Sequence, residues 1–126
     1  MNEPGRANTA NGGIVAKEGG FENAGRVMLG GYDCEALLTR YPHGGGLAIV
    51  LVEADGEREP VATATVNVEG VSERLPADEA VLKTYSENEG MLEALVEAGM
   101  VEDTKKRVPV GYAGECPVVR VPGAGD

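Results

Sequence analysis

His43 is the single histidine of the chain, so histidine-based acid–base or nucleophilic chemistry would have to run through it. It stands between Pro42 and Gly44-Gly45-Gly46, with no carboxylate close by in sequence to orient its ring. Ser72 and Ser86 are the only serines, and Cys34 and Cys116 the only cysteines. A Ser-His-Asp or Cys-His set would therefore be drawn from separate segments and hinge on a histidine in a glycine-rich turn. Gly44–Gly46 also lacks the Gly-Lys-Ser/Thr continuation into a helix that a phosphate-cradling loop requires. The run Leu47-Ala-Ile-Val-Leu-Val follows instead, and the glycines read as a reversal between strands. Asp55, Glu57 and Glu59 could offer oxygens to a calcium ion. The spacing of a helix–loop–helix calcium site is absent, however, and solvated turn carboxylates are the expectation. The reading is a non-enzymatic chain with no metal or cofactor.

What remains is charge. The net charge is −10, and residues 53–103 hold fourteen acidic and three basic side chains. Such a surface repels nucleic acid and anionic membrane and attracts basic partners. Glu89, Glu93 and Glu97 recur every four residues, which on a helix makes a vertical row. Each like-charged pair at that spacing disfavours a helix by about 0.2–0.5 kcal/mol. Glu87 and Glu89 suit the positive end of the helix dipole and Glu97 does not. The expected partner-binding strip is Asp55, Glu57, Glu59, Glu87, Glu89, Glu93 and Glu97, against a plain solvated face as the alternative. Lys105-Lys106-Arg107 follows Glu102-Asp103 and reads as neutralised rather than as a phosphate patch. With no Trp and one Phe, a base-stacking surface is not expected.

These side chains need a frame. Ser86 with Glu89 three residues on forms a capping box, Met91, Leu92, Leu95 and Val96 make an apolar stripe, and Gly99 ends it, which predicts a helix over 87–98. Residues 32–41, 47–52 and 61–68 predict a meander of antiparallel strands, the second buried on both faces and the third alternating. Residues 80–85, 108–112 and 117–121 predict further short strands, the last two as sheet edges because of Pro109 and Pro117. Asn67 and Asn88 are expected to satisfy nearby backbone. The fold class is α+β: a mostly antiparallel sheet of five or six strands with one helix packed on a face, the surface around residues 47–52 being its partner. Residues 1–25 read as a Gly/Asn-rich tail, 26–121 as the single domain and 122–126 as a second tail. The absence of an apolar leader or span points to the cytoplasm. Cys34 and Cys116 fit as buried reduced thiols, with a disulfide joining the first and last strands as the alternative.

Tyr41 to Gly46 with Leu-Ala-Ile, Thr65-Val-Asn-Val68, Leu82 to Met91, and Gly-Tyr and Pro-Val near the end together resemble a family of small acidic proteins of unknown function. That family is carried by phages and mobile elements of gut-type bacteria. The resemblance covers about residues 32–121, and its most specific part is Lys-x-x-Ser-Glu-Asn-x-Gly-Met at 83–91. It implies a genomic neighbourhood in which acidic proteins block host defence or restriction machinery, and it carries over no functional residue. The functional expectation is an acidic, anti-CRISPR or anti-restriction type of binding protein. It would mimic phosphates toward a basic bacterial protein or nucleoprotein complex, without binding nucleic acid or membrane itself. The alternative is a structural or assembly module acting through a sheet edge, as a monomer or homodimer.

Overall fold

The computed structural model describes residues 22–111, 114–122 and 124, apart from the side chain of residue 87. The segment 1–21 lies outside the described residues, so most of the predicted tail does too; its last part does not, because the first strand already starts at Glu22. Strands β1 (Glu22–Leu29), β2 (Tyr32–Arg40), β3 (Leu47–Glu53) and β4 (Pro60–Thr63) form one antiparallel meander in that order. Gly30 and Gly31, at φ 57° and 89°, make the two-residue reversal between β1 and β2. Both central residues of such a turn need the left-handed region, which only glycine occupies freely. β3 is buried on both faces, as its unbroken apolar run demands, with Ile49 and Leu51 fully buried on one face and Ala48 and Val52 buried on the other.

The α+β class and the antiparallel pairing are as expected; the strands, however, are shared between two sheets. The second sheet has the order β5–β7–β6, with β5 Glu79–Val81, β6 Glu102–Pro109 and β7 Glu115–Arg120. The split happens where one long strand was expected over 61–68. β4 stops at Thr63, and both Ala64 and Thr65 are buried, which an alternating strand with one solvent face would not allow. Ala64 donates its N–H to Ile49 of β3 at 2.8 Å and accepts from Lys83 at 2.7 Å, while Val66 donates to Val81 of β5 at 3.0 Å. The Thr65 hydroxyl accepts from the N–H of Ile49 at 3.2 Å and meets the Tyr41 hydroxyl at 2.8 Å. Residues 64–66 thus form a strap hydrogen-bonded to both sheets.

Pro117 was expected to mark an edge, yet β7 is the central strand. Leu82 gives its N–H to the Pro117 carbonyl at 2.9 Å. The return bond is the one a proline cannot make, and it falls where the chain after β5 leaves the ladder, since Lys83 turns its N–H to Ala64.

The helix α1 runs from Met91 to Glu97, shorter than the span 87–98. Ser86 is at φ 57°, opens a short 3₁₀ turn over Ser86–Asn88 and makes no side-chain cap bond. An N-cap residue is extended so that its oxygen can reach forward; Ser86 is not, and Gly90 at φ 88° precedes the helix instead. The stop signal holds. Gly99 is left-handed at φ 74°, Met100 donates to Leu95 at 3.0 Å and Gly99 to Val96 at 2.9 Å, the paired bonds of a glycine-terminated helix. Met91 and Leu95 are fully buried, Leu92 is half-buried, and Val96 is 44 % exposed, outside the stripe assigned to it. α1 lies beside β1 and β6, and meets Ile49 and Leu51 of β3 in the shared core cluster. A satellite cluster of Val81, Cys116 and Val118 fills the other face of the second sheet beneath Val66, Val71 and Leu75. Cys34 belongs to the main cluster and Cys116 to the satellite, both as free thiols, which removes the disulfide alternative.

Candidate functional site

The residues weighed for catalysis are held apart. His43 is exposed in its turn, and its backbone carbonyl accepts from the Asn67 side chain at 3.1 Å. The Ser72 hydroxyl is buried, accepting from Val68 N–H at 2.8 Å and reaching the Val66 carbonyl at 3.4 Å, so it folds the loop over the satellite cluster. Burial pushes the Cys34 thiol above its ordinary pKa, with Asp33 and Glu53 adding to the shift, so the reactive thiolate is disfavoured. Among the described residues no group of three His, Cys, Asp or Glu side chains converges to hold a metal ion.

The acidic residues are arranged differently from a single strip. Asp55, Glu57 and Glu59 are all exposed in the loop from β3 to β4. Its reversal is closed by Glu53 N–H to the Glu59 carbonyl at 2.9 Å. Glu93 and Glu97 are exposed one turn apart on α1. Glu89 is exposed too, but it precedes the helix, so the expected row of three is a pair; the side chain of Glu87 lies outside the description. Arg26 of β1 lies within electrostatic reach of Asp55 in the β3–β4 loop and shares a groove with the helix. Its guanidinium bonds Asp33 at 2.5 Å, and its pKa is raised chiefly by that partner, with Asp55 and Glu35 contributing at longer range. Arg26 and Asp33 also face Glu97 across a groove of about 330 Å³ between β1 and α1. Met28 and Val27 form its strand wall and Ala94 and Ala98 its helix wall. Met28 is 60 % exposed there.

Four other cations are held by carboxylates elsewhere. Arg58 pairs with Glu35 at 2.5 Å, Lys106 with Glu79 at 2.6 Å, Arg107 with Asp103 at 3.1 Å, and Arg120 with Asp78 at 3.0 Å and Glu102 at 2.6 Å. The basic cluster 105–107 is accordingly neutralised in part, Lys106 by a strand that sequence proximity did not suggest. Among the described residues none of Asp55, Glu57, Glu59, Glu89, Glu93 and Glu97 takes part in such a pair. Their carboxylates are exposed and outside those pairs, with Asp55 acting on Arg26 only at longer range.

Sequence reasoning missed Arg26, Met28 and Asp33 as parts of this surface. A signal was present: Gly30-Gly31 as a two-residue hairpin sets Met28 opposite Asp33 and Arg26 opposite Glu35. Asn88 was expected to satisfy backbone and does so, donating to the Thr63 carbonyl at 2.7 Å, but its buried Oδ1 has no hydrogen-bond partner. No described helix is long and apolar enough to cross a membrane. Comparison with protein-family models, curated proteins and solved structures finds no match to the chain.

Proposed function

We propose that this chain is a non-enzymatic binding protein that offers its uncompensated carboxylates to a basic, nucleic-acid-handling surface of a bacterial partner. The observation that carries the reading is the distribution of ion pairs. Arg26, Arg58, Lys106, Arg107 and Arg120 are held by Asp33, Glu35, Asp78, Glu79, Glu102 and Asp103, while among the described residues Asp55, Glu57, Glu59, Glu89, Glu93 and Glu97 are exposed and outside these pairs. Duplex DNA shows one phosphate per about 1.7 Å of axis. A rigid protein surface with repeated carboxylates addresses the same arginines and lysines, at the same strong dependence on salt. The resemblance to acidic proteins of phages and mobile elements supports a defence or restriction complex in the bacterial cytoplasm as the partner, with inhibition by occupancy as the result.

The test is capture from bacterial lysate, comparing the native chain with a variant carrying Asp55→Asn, Glu57→Gln, Glu59→Gln, Glu93→Gln and Glu97→Gln. The expected outcome is a partner released by added duplex DNA and by salt, and lost with the amide variant. Identical capture by both chains would overturn the reading.

A further inference from the structure

We infer that the groove between β1 and α1 binds an extended basic peptide, which adds to the first sheet as a strand alongside β1. This deepens the proposal of a basic partner and rests on it for the sign of the charge. Among the described residues β1 is the terminal strand of its sheet, with β2 as its one ladder neighbour. Which of its backbone groups face outward follows from the pairing. Asp33 opposes Met28 in the register, and Asp33 spends its carbonyl on Ala54 N–H at 2.9 Å, on the β3 side. Met28 and Asp33 are therefore a non-hydrogen-bonded pair, and by alternation so are Arg26 and Glu35. The N–H and C=O groups of Arg26 and Met28 thus point away from β2. Among the described residues no backbone bond outside the ladder uses them.

Those same two residues line the groove, and Ala94 and Ala98 on the facing helix are small enough to leave it open. An added strand would sit about 4.8 Å from β1 and find donors and acceptors already aligned. The other edges are less suited to it: β4 begins with Pro60 and is four residues long, β5 has three, and β6 carries Lys105 at φ 72° within a register shift. Charge selects the occupant. Asp33 and Glu97 line the groove with Arg26, whose guanidinium is already bonded to Asp33, so the Glu97 carboxylate is in excess there, and Asp55 acts on Arg26 at longer range. A lysine or arginine on the added strand meets that excess; an acidic peptide is repelled.

The probe is a capped peptide of about seven residues alternating lysine with valine, titrated into the isotope-labelled full chain and followed by amide NMR. Two controls carry N-methyl groups on alternate backbone nitrogens, one set on the odd and one on the even positions. The expected result is that the Arg26 and Met28 amides shift and exchange more slowly. One methylated peptide should weaken by about tenfold or more and the other should not, because only one set faces β1. Ala98→Leu, with unchanged circular dichroism, should weaken the parent peptide by a similar factor. The inference is overturned if the peptide does not bind, if both methylated peptides bind alike, or if the Arg26 and Met28 amides are unmoved. Concentration-dependent protection of those amides without peptide would place a second copy of the chain in the groove and overturn it as well. Loss of partner capture by the amide variant alongside peptide failure would leave the acidic-face proposal standing. Peptide binding alongside charge-independent capture would remove that proposal and leave the groove.

Discussion

Asn88 shows what a single side chain has to settle between helix and sheet. It is fully buried, its Nδ2 holds the Thr63 carbonyl at 2.7 Å at the end of β4, and its Oδ1 is left without a partner. Leaving a buried acceptor unmade costs about 1–3 kcal/mol, so the residue is both a tie and a liability. Asn88→Ala removes both at once and leaves the Thr63 carbonyl exposed to the loss. Asn88→Asp keeps the shape, removes the donor and adds a carboxylate in a buried place. The expected order of stability in urea unfolding is native, then Ala, then Asp, with Ala about 1–2 kcal/mol below native and the Asp deficit shrinking as acid protonates it. An aspartate variant as stable as the alanine one at neutral pH would show that Oδ1 already faces a donor such as water.

The elements were legible where one local rule decided them and illegible where two competed. Gly99 could be read because a left-handed residue after an apolar run has few other uses, and β3 because an unbroken apolar run must be covered on both faces. Ser86 met the composition of a capping box, yet its backbone is left-handed and the Asn88 tie draws the chain into a 3₁₀ turn ahead of the helix. The acidic row lost Glu89 for the same reason. The strand over 61–68 failed at Thr65, whose hydroxyl replaces ladder bonds and lets a polar side chain lie inside. A substitution series separates the two roles of Ser86. A working N-cap loses about 0.5–2 kcal/mol on change to alanine and a few tenths on change to glycine. Here Ser86→Ala should cost less than about 0.5 kcal/mol, and Ser86→Gly should stabilise by up to about 1 kcal/mol by relieving the positive φ. Thermal melts of both variants give the answer, and a clear loss in the alanine variant would restore the capping reading.

For the whole molecule, charge and connectivity were the harder properties to foresee, because ion pairs join residues far apart in sequence. Arg120 of β7 bonds Asp78 and Glu102, and Lys106 reaches Glu79. The sequence balance of residues 53–103 therefore overstated the uncompensated charge at 78, 79, 102 and 103 and left it correct on α1 and in the β3–β4 loop. One pair leaves a pH signature. Asp103 accepts from Arg107 and from the Lys105 N–H, which hold its pKa below the ordinary carboxylate value. A group depressed in the folded state lends stability that is full above its unfolded pKa and is lost as pH falls through the folded one. Asp103→Asn should therefore melt below the native chain at pH 7 and converge with it as the pH falls below the ordinary aspartate pKa of about 4. The gap should be small, since the pair is near the surface; parallel melting curves down to acid would show that Arg107 contributes nothing through charge.

The order β5–β7–β6 also has a consequence in time. Neither β5 nor β6 pairs with the other, and each has β7 as its ladder neighbour. During synthesis the first sheet can close hairpin by hairpin as its strands emerge, whereas β5, α1 and β6 leave the ribosome before the strand that joins them. Until residues 115–120 arrive, those segments have a strap at 64–66 and an apolar helix face, but no second sheet. That interval, in which Leu82, Met91 and Leu95 lack the cover of Val119 and Val121, is when this chain is most exposed to a chaperone or a protease.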